Sequence, residues 1–201
     1  AYTAAGDLDA AERLLDPPPV DLENEAFDEY VFIFLCRRDF ERAAAIMGQA
    51  LQKEGDEERR FFGRVRMAHL HVTIGRLDEA KPVIAEARRV VEKLRAEGDE
   101  SLWLRDQLLS LAAVQGDRDT VEREAEELLK VTARDKWRLP LSEELVGAAY
   151  ALLGDADRAM PHIERALTMP GHQSLTAAYL RLEPRWDKVR DDPRFQRLAT
   201  R

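Results

Sequence analysis

Histidine side chains are the groups in this sequence best suited to bind a metal ion or to move a proton near neutral pH. The sequence has four of them, His69, His71, His162 and His172. His69 and His71 are two residues apart on a predicted helix, so they point to different faces, and no His-Glu-x-x-His spacing occurs. We therefore expect structural or surface roles for all four histidines and no metal site.

Nucleophilic catalysis would require an activated serine or cysteine, and neither occurs in a suitable context. None of Ser101, Ser110, Ser142 and Ser174 lies in a Gly-x-Ser-x-Gly turn, and the single cysteine, Cys36, lies in an apolar predicted helix. Ser142 is instead predicted to cap a helix. The sequence also has no phosphate-binding Gly-x-x-x-x-Gly-Lys loop and no dinucleotide-binding fingerprint. We expect no enzymatic activity in this segment and no cofactor.

The composition of the chain favours helices and argues against nucleic acid and anionic membranes as partners. Of its 201 residues, 45% are hydrophobic, 35% are charged and 7% are aromatic. The 39 acidic residues against 31 lysines and arginines give a net charge of -8, without a long basic cluster. No apolar run approaches the roughly 20 residues of a membrane span, and nothing at the N-terminus resembles a signal peptide. We therefore expect a soluble, cytoplasmic protein.

The clearest structural unit in the sequence is a helix, a turn and a second helix between residues 143 and 171. Gly154-Asp155 forms the predicted turn. Small residues on both helices would let them approach closely, while Tyr150 and Ile163 fill the space around them. The small residues are Gly147 on the first helix and Ala159 and Ala166 on the second. The unit therefore predicts two closely packed helices.

The same pattern recurs along the whole chain. Predicted turns near residues 6, 38, 75, 116 and 154 are separated by 32, 37, 41 and 38 residues, and apolar residues at helical spacing flank each of them. Glycine can adopt the left-handed conformation that ends one helix, and a following aspartate can accept a hydrogen bond from the amides that begin the next. Five Gly-Asp dipeptides fit this role, at residues 6, 55, 98, 116 and 154. The sequence therefore predicts tandem helix pairs, of which the first is truncated.

This spacing resembles the tetratricopeptide repeat, a helix-turn-helix unit that stacks into a solenoid. The resemblance covers nearly the whole chain. It implies an all-α fold, a right-handed α-solenoid of antiparallel helix pairs, with repeats over residues 1–173 and capping helices over residues 174–201. In this family the first helix of each pair lines a concave groove that binds protein or peptide segments, and the repeats carry no chemistry of their own.

The C-terminal tail carries a second, shorter resemblance. Leu-Arg-Leu-Glu-Pro-Arg-Trp-Asp at residues 180–187 and Asp-Asp-Pro-Arg-Phe at residues 191–195 are similar to the end of tetratricopeptide segments in bacterial signalling proteins. Eukaryotic-like serine/threonine kinases are the main such class, with some winged-helix or cyclase-type regulators, although Glu183 stands where an aspartate is commoner. The chain also begins without a methionine, inside a predicted helix. Together these features imply the C-terminal part of a larger signalling protein.

The repeat phase assigns a set of residues to the groove face of the first helices. These residues give an apolar surface with acidic patches, which favours an apolar or basic segment. Family members that clamp a peptide's C-terminal carboxylate use lysine, arginine and asparagine here, so we argue against that ligand class. Phe32, Phe62 and Trp103 could alternatively pack between neighbouring first helices and complete the core. The predicted contacts are Asp28, Phe32, Phe62, Val65, His69, Trp103, Asp106, Ser110 and Glu144.

The sequence thus favours a non-enzymatic interaction or regulatory module, a scaffold that binds a protein or peptide segment. That segment would come from a partner protein or from an upstream domain of the same chain. Two alternatives stay open. One is an assembly module that forms a homodimer, and the other is a small-molecule sensor domain in a transcriptional regulator.

Overall fold

The computed structural model describes residues 2–24, 26–170 and 175–200, without the side chains of Glu57 and Glu58. Every regular element in these ranges is helical, and no strand occurs among them. The predictions made for Gly171, His172 and Ser174, including the start of the proposed cap, lie outside the described residues. The fold is therefore all-helical where it is described.

Twelve α-helices and one 3-10 helix are described. They are α1 (Tyr2–Ala5), α2 (Leu8–Leu14), α3 (Phe27–Cys36), α4 (Phe40–Lys53), α5 (Glu57–Thr73), α6 (Leu77–Ala96), α7 (Leu102–Gln115), α8 (Arg118–Thr132), α9 (Leu139–Leu152), α10 (Ala156–Thr168), α11 (Ala177–Leu182), the 3-10 helix Pro184–Val189 and α12 (Pro193–Ala199). None of the described helices combines the length and the apolar character needed to cross a membrane.

The chain divides into two compact units. The N-terminal unit comprises Ala1–Ile84 with Leu182–Pro184, and the C-terminal unit comprises Ala85–Arg181 with Arg185–Arg201. Consecutive helices pack on each other within these units, most extensively α9 with α10 and α7 with α8.

Turns with a positive backbone φ separate the helices at the positions predicted from the sequence, with one difference, at residue 55. Gly6, Gly75, Gly98, Gly116 and Gly154 all have positive φ, between 74° and 95°. At residue 38 the left-handed position is filled by an arginine, with φ of 62°. Gly55 is not left-handed, because the chain leaves α4 in an extended conformation at Glu54. The expectation of a left-handed glycine at residue 55 is therefore wrong.

Aspartates cap most of the helices that follow these turns. Asp7, Asp39, Asp117 and Asp155 each accept a hydrogen bond from the amide three residues later, at 2.9–3.2 Å. Asp56 caps α5 in the same way, at 2.9 Å from the amide of Arg59. Such a cap satisfies one of the amides that have no partner inside the helix.

Two capping predictions differ from the structure. Ser101, rather than Asp99, caps α7, while Asp99 accepts a hydrogen bond of 2.8 Å from the Ser101 amide. Ser142 caps nothing, because α9 begins three residues earlier, at Leu139. Its hydroxyl instead donates to the carbonyl of Arg138, at 3.2 Å. A serine inside a helix commonly bonds back in this way.

The core of the N-terminal unit lies between α3, α4 and α5. It is built on aromatic rings of α3, where Tyr30 and Phe34 meet edge to face with centroids 5.1 Å apart. The guanidinium of Arg42 lies 4.1 Å from the centre of the Phe34 ring. Cys36 is buried and forms no disulfide bond, as expected for a cysteine in an apolar helix. The buried members of this core are Phe27, Tyr30, Val31, Phe34, Ala43, Met47, Ala50 and Leu70.

The core of the C-terminal unit is larger and joins α7, α8, α9 and α10 to the tail. Gly147 allows the close approach of α9 and α10, since a Cβ there would lie 3.0 Å from Cγ1 of Ile163. Trp186 and Phe195 of the tail are fully buried in the same core, with ring centroids 6.3 Å apart. The tail therefore covers apolar surface of the helices before it.

Candidate protein-interaction surfaces

In the N-terminal unit, the predicted contacts on α3 differ in their exposure. Asp28 is exposed and forms an ion pair of 3.0 Å with Arg66 of α5. Phe32 is half-buried, one turn further along the same helix. On α3, a ligand could therefore contact the partly exposed ring of Phe32 and the carboxylate of Asp28, which is already paired with Arg66.

The α5 contacts of the same unit lie closer to the core. Val65 is only 7% exposed and belongs to the buried face, so it is not accessible to a ligand in this structure. Phe62 is half-buried, and its ring meets that of Phe61 edge to face at 5.5 Å. The predicted groove face of α5 therefore includes a core residue, Val65, and a partly exposed residue, Phe62.

His69 completes the α5 stripe and has an unusual environment. Its ring is partly buried, and Nε2 is enclosed without a hydrogen-bond partner. Burial lowers the pKa of His69 to about 4, because the charged form loses its hydration. The side chain is therefore neutral at pH 7. Its enclosed Nε2 is not accessible to a ligand in this structure.

In the C-terminal unit, Trp103 is the most exposed of the predicted contacts. It lies in the first turn of α7, immediately after the Ser101 cap, and its residue surface is 41% exposed. Leu104 and Leu108 of the same helix are buried in the core. The helix therefore holds one large aromatic side chain at the surface while its leucines pack in the core.

Asp106 follows Trp103 by one turn of α7 and is joined to Arg138, which precedes α9. One guanidinium nitrogen of Arg138 contacts both carboxylate oxygens of Asp106. Burial raises the pKa of Asp106, and the charge and hydrogen bonds of Arg138 oppose that rise. Asp106 is therefore part of a link between two helices, and its charge is balanced.

The last two predicted contacts are partly covered. Ser110 is half-buried on α7. Glu144 of α9 is half-buried and lies 3.5 Å from a guanidinium nitrogen of Arg185 in the tail. All three acidic residues of the predicted set thus have an arginine within ion-pair distance. The acidic patches that the sequence indicates are largely neutralised within the chain.

These arginines were not predicted from the sequence as partners of the acidic residues, although their distance along the chain from those residues indicates the pairing. Arg66, Arg138 and Arg185 follow their acidic partners by 38, 32 and 41 residues. The capping Asp155 is paired with Arg118, 37 residues before it. These separations are close to the spacing of 32–41 residues between successive predicted turns. An acidic residue with an arginine about one repeat away is the pattern that could have revealed them.

Two further polar clusters stabilise the C-terminal unit and lie outside the predicted set. Glu143 is buried and accepts a 2.8 Å hydrogen bond from Arg165, with His162 Nδ1 at 2.6 Å. Burial alone would raise the pKa of Glu143, but the hydrogen bonds from His162 and Arg165 hold it below its usual value. The ring of His162 also stacks on Tyr150, with centroids 5.9 Å apart. His162 is therefore placed as a contact between α9 and α10.

The second cluster surrounds Glu124 of α8, whose side chain is fully buried. Arg95 and Arg123 bond to its Oε1, and Arg105 of α7 lies 3.7 Å from Oε2. One carboxylate thereby connects α6, α7 and α8. Among the described residues, no group of three or more histidine, cysteine, aspartate or glutamate side chains could hold a metal ion.

Comparison with known proteins gives little further information. No protein-family model matches the sequence, and no curated protein matches it. Among solved structures, the chain is similar to BtubC (BKLC) from P. vanneervenii, with 18% sequence identity. The similarity covers 99% of this chain and 86% of that chain, with a TM-score of 0.43. A similarity of this extent defines neither the fold family nor the function of this chain.

Proposed function

We propose that this chain is a non-enzymatic helical-repeat module that binds a protein or peptide segment. In this proposal, antiparallel helix pairs stack into a right-handed solenoid of the tetratricopeptide type, and the first helix of each pair lines the binding groove. The recurrence of left-handed turns followed by aspartate caps supports the repeat architecture. The ion pairs at about one repeat spacing support it independently.

The observation that carries the binding proposal is the exposed tryptophan on α7. Trp103 keeps 41% of its surface exposed on a helix whose other face is buried. Burying such a ring against a partner is worth about 1.5–3 kcal/mol, and tryptophan is among the residues that most often dominate binding interfaces. The groove is therefore proposed to take an apolar side chain of the partner at Trp103.

The charge of the proposed partner follows from the ion pairs. Asp106 is largely shielded by Arg138, whereas Asp28 is exposed and its pair with Arg66 is accessible to solvent. Exposed pairs of this kind are weak, about 0–1 kcal/mol, and a basic partner residue could replace the arginine. An apolar segment with an accompanying basic residue is the ligand we propose.

The biological setting rests on the tail resemblance alone. We propose that the chain belongs to a larger bacterial signalling protein, such as a serine/threonine kinase, and works in the cytoplasm as its regulatory or scaffolding part. In that setting, the catalytic domain of the same protein is the first binding partner to test. Self-association as a homodimer and small-molecule sensing are the outcomes that would replace this proposal.

Two tryptophan variants test the binding proposal. The immobilised chain would capture partners from a lysate of its source organism, and the affinity of the main captured protein would be measured for wild type, Trp103→Ala and Trp137→Ala. Trp137 is a size-matched control in the same unit, exposed but outside the predicted groove. We expect Trp103→Ala to weaken binding at least about tenfold and Trp137→Ala to leave it unchanged, with helicity preserved in both. Equal affinities for Trp103→Ala and wild type would remove Trp103 from the site.

A further inference from the structure

The connector between α8 and α9, residues 133–138, presents a second tryptophan that no groove prediction includes. Trp137 is 77% exposed, the most exposed of the large hydrophobic residues of the described chain. Val131, in the last turn of α8, is 50% exposed. Both are apolar side chains exposed to solvent, one in the connector and one just before it.

Hydrogen bonds fix the backbone of this connector. The Asp135 amide donates to the Thr132 carbonyl at 2.9 Å, and the Leu139 amide donates to the Asp135 carbonyl at 2.8 Å. One oxygen of the Asp135 carboxylate accepts from the amides of both Trp137 and Arg138, each at 3.0 Å. The Arg138 side chain is in turn tied to Asp106 of α7. The backbone on both sides of Trp137 is therefore fixed by hydrogen bonds, and the side chain is exposed.

Two basic residues of the connector precede Trp137 in the sequence. Arg134 and Lys136 are both exposed, and neither is paired with a carboxylate within the part of the chain that the structure describes. The acidic residue between them, Asp135, is occupied by the backbone amides of the connector. In a chain of net charge -8, this is a local excess of positive charge.

We propose that the connector surface, made of Val131, Arg134, Lys136 and Trp137, docks an acidic protein segment that carries a large apolar side chain. The apolar side chain would cover Trp137, and its acidic neighbours would pair with Arg134 and Lys136. A preformed backbone lowers the entropic cost of binding, and complementary charge accelerates association and selects the partner. The partner differs in charge from the one proposed for the groove, and this inference does not depend on the groove.

The test is a selection of random dodecapeptides displayed on phage against the whole immobilised chain. Enriched peptides would be measured on wild type, Trp137→Ala, the charge-reversal pair Arg134→Glu with Lys136→Glu, and Trp103→Ala. A matched control reverses two exposed lysines of α6, Lys81→Glu with Lys93→Glu, and so changes the net charge equally. Circular dichroism would verify that every variant keeps its helicity.

We expect enriched peptides that combine acidic residues with a large apolar residue. Their affinity should fall at least about tenfold in Trp137→Ala and in the Arg134→Glu, Lys136→Glu pair. It should fall with rising salt and stay unchanged in Trp103→Ala and in the α6 control. Peptides that depend on Trp103 instead belong to the proposed groove and would not support this surface.

Several outcomes would overturn the proposal. Enriched peptides that are neutral or basic, or a selection in which no peptide depends on Trp137, would show that the surface does not bind acidic segments. Binding of the chain to phosphatidylserine vesicles, lost in Trp137→Ala, would assign the surface to a membrane. A concentration-dependent dimer, lost in the same variant, would assign it to a second copy of this chain.

Discussion

At the scale of single residues, Glu124 and His69 show two ways in which this fold accommodates an ionisable side chain. Glu124 is fully buried but has three arginines around it, on three helices. The enclosed nitrogen of His69 has no hydrogen-bond partner, and the ring is neutral at pH 7. Glu124 links three helices through its ion pairs with arginines, whereas His69 is accommodated in its neutral form.

Replacing Glu124 by alanine should destabilise the C-terminal unit by about 3 kcal/mol, because the substitution removes a fully buried carboxylate and leaves the mostly buried guanidinium of Arg105 without it. Glu126→Ala, at an exposed position of the same helix, is the matched control and should change stability by less than about 0.5 kcal/mol. Urea unfolding followed by circular dichroism measures both. Equal stabilities of the two variants would show that the arginine cluster contributes nothing.

The pH dependence of stability should report His69. Its folded pKa of about 4 lies below the unfolded value of about 6.5. The unfolded state therefore binds the proton more readily, so stability is complete above about pH 6.5 and is lost as the pH falls toward 4. The loss should approach about 3 kcal/mol and be absent in His69→Gln. An NMR titration giving a pKa near 6.5 for His69 would contradict this account of its environment.

At the scale of helices, glycine has two separable roles in this chain. Gly147 of α9 is a close-contact residue, because an added Cβ would lie 3.0 Å from Ile163 and 3.4 Å from His162. A Cβ added at Gly48 of α4 would make only an ordinary van der Waals contact, 3.8 Å from the terminal methyl group of Met67. One glycine is required by packing, and the other only weakens its helix.

The same substitution at these two glycines should therefore have opposite effects. Gly147→Ala should destabilise by about 1–3 kcal/mol through overpacking. Gly48→Ala should stabilise by about 0.5–1 kcal/mol, since alanine is the better helix former. Thermal unfolding of the two variants gives the comparison directly. A stabilising Gly147→Ala would mean that α9 and α10 are not packed as closely as described.

The sequence predicted the helices and most turns because these depend on local chemistry. A left-handed glycine followed by a capping aspartate is readable from two adjacent residues, as at Gly116 and Gly154. Gly55 has the same dipeptide but a different conformation, since the preceding residue is already extended. The dipeptide alone therefore does not determine where a helix ends.

The candidate sites were less predictable because they depend on side chains that are distant in sequence. Asp106 was assigned to the groove from its helical phase, but Arg138, which contacts it, is 32 residues away. Val65 shares the phase of Phe62 and His69, yet packing buries it. Trp137 follows no helical phase at all, and only the hydrogen bonds of its connector show that it is held at the surface.

At the scale of the whole molecule, an acidic helical chain exposes two tryptophans of different character in one of its units. Trp103 lies one helical turn before Asp106, which is paired with Arg138, and Trp137 follows two basic residues that have no carboxylate partner in the described part of the chain. We propose that these two tryptophans bind two ligands of different charge. Binding at one surface should therefore leave the other accessible, and the two interactions can be measured separately.

Quenching of tryptophan fluorescence by iodide in Trp137→Phe tests whether the partner segment binds at Trp103. In this variant Trp103 is the exposed indole that remains, because Trp186 is fully buried. We predict that adding the captured partner protein shields Trp103, so that iodide quenching falls and the emission shifts to shorter wavelength. Unchanged quenching with the partner demonstrably bound would show that the segment binds elsewhere, and would contradict a groove built around Trp103.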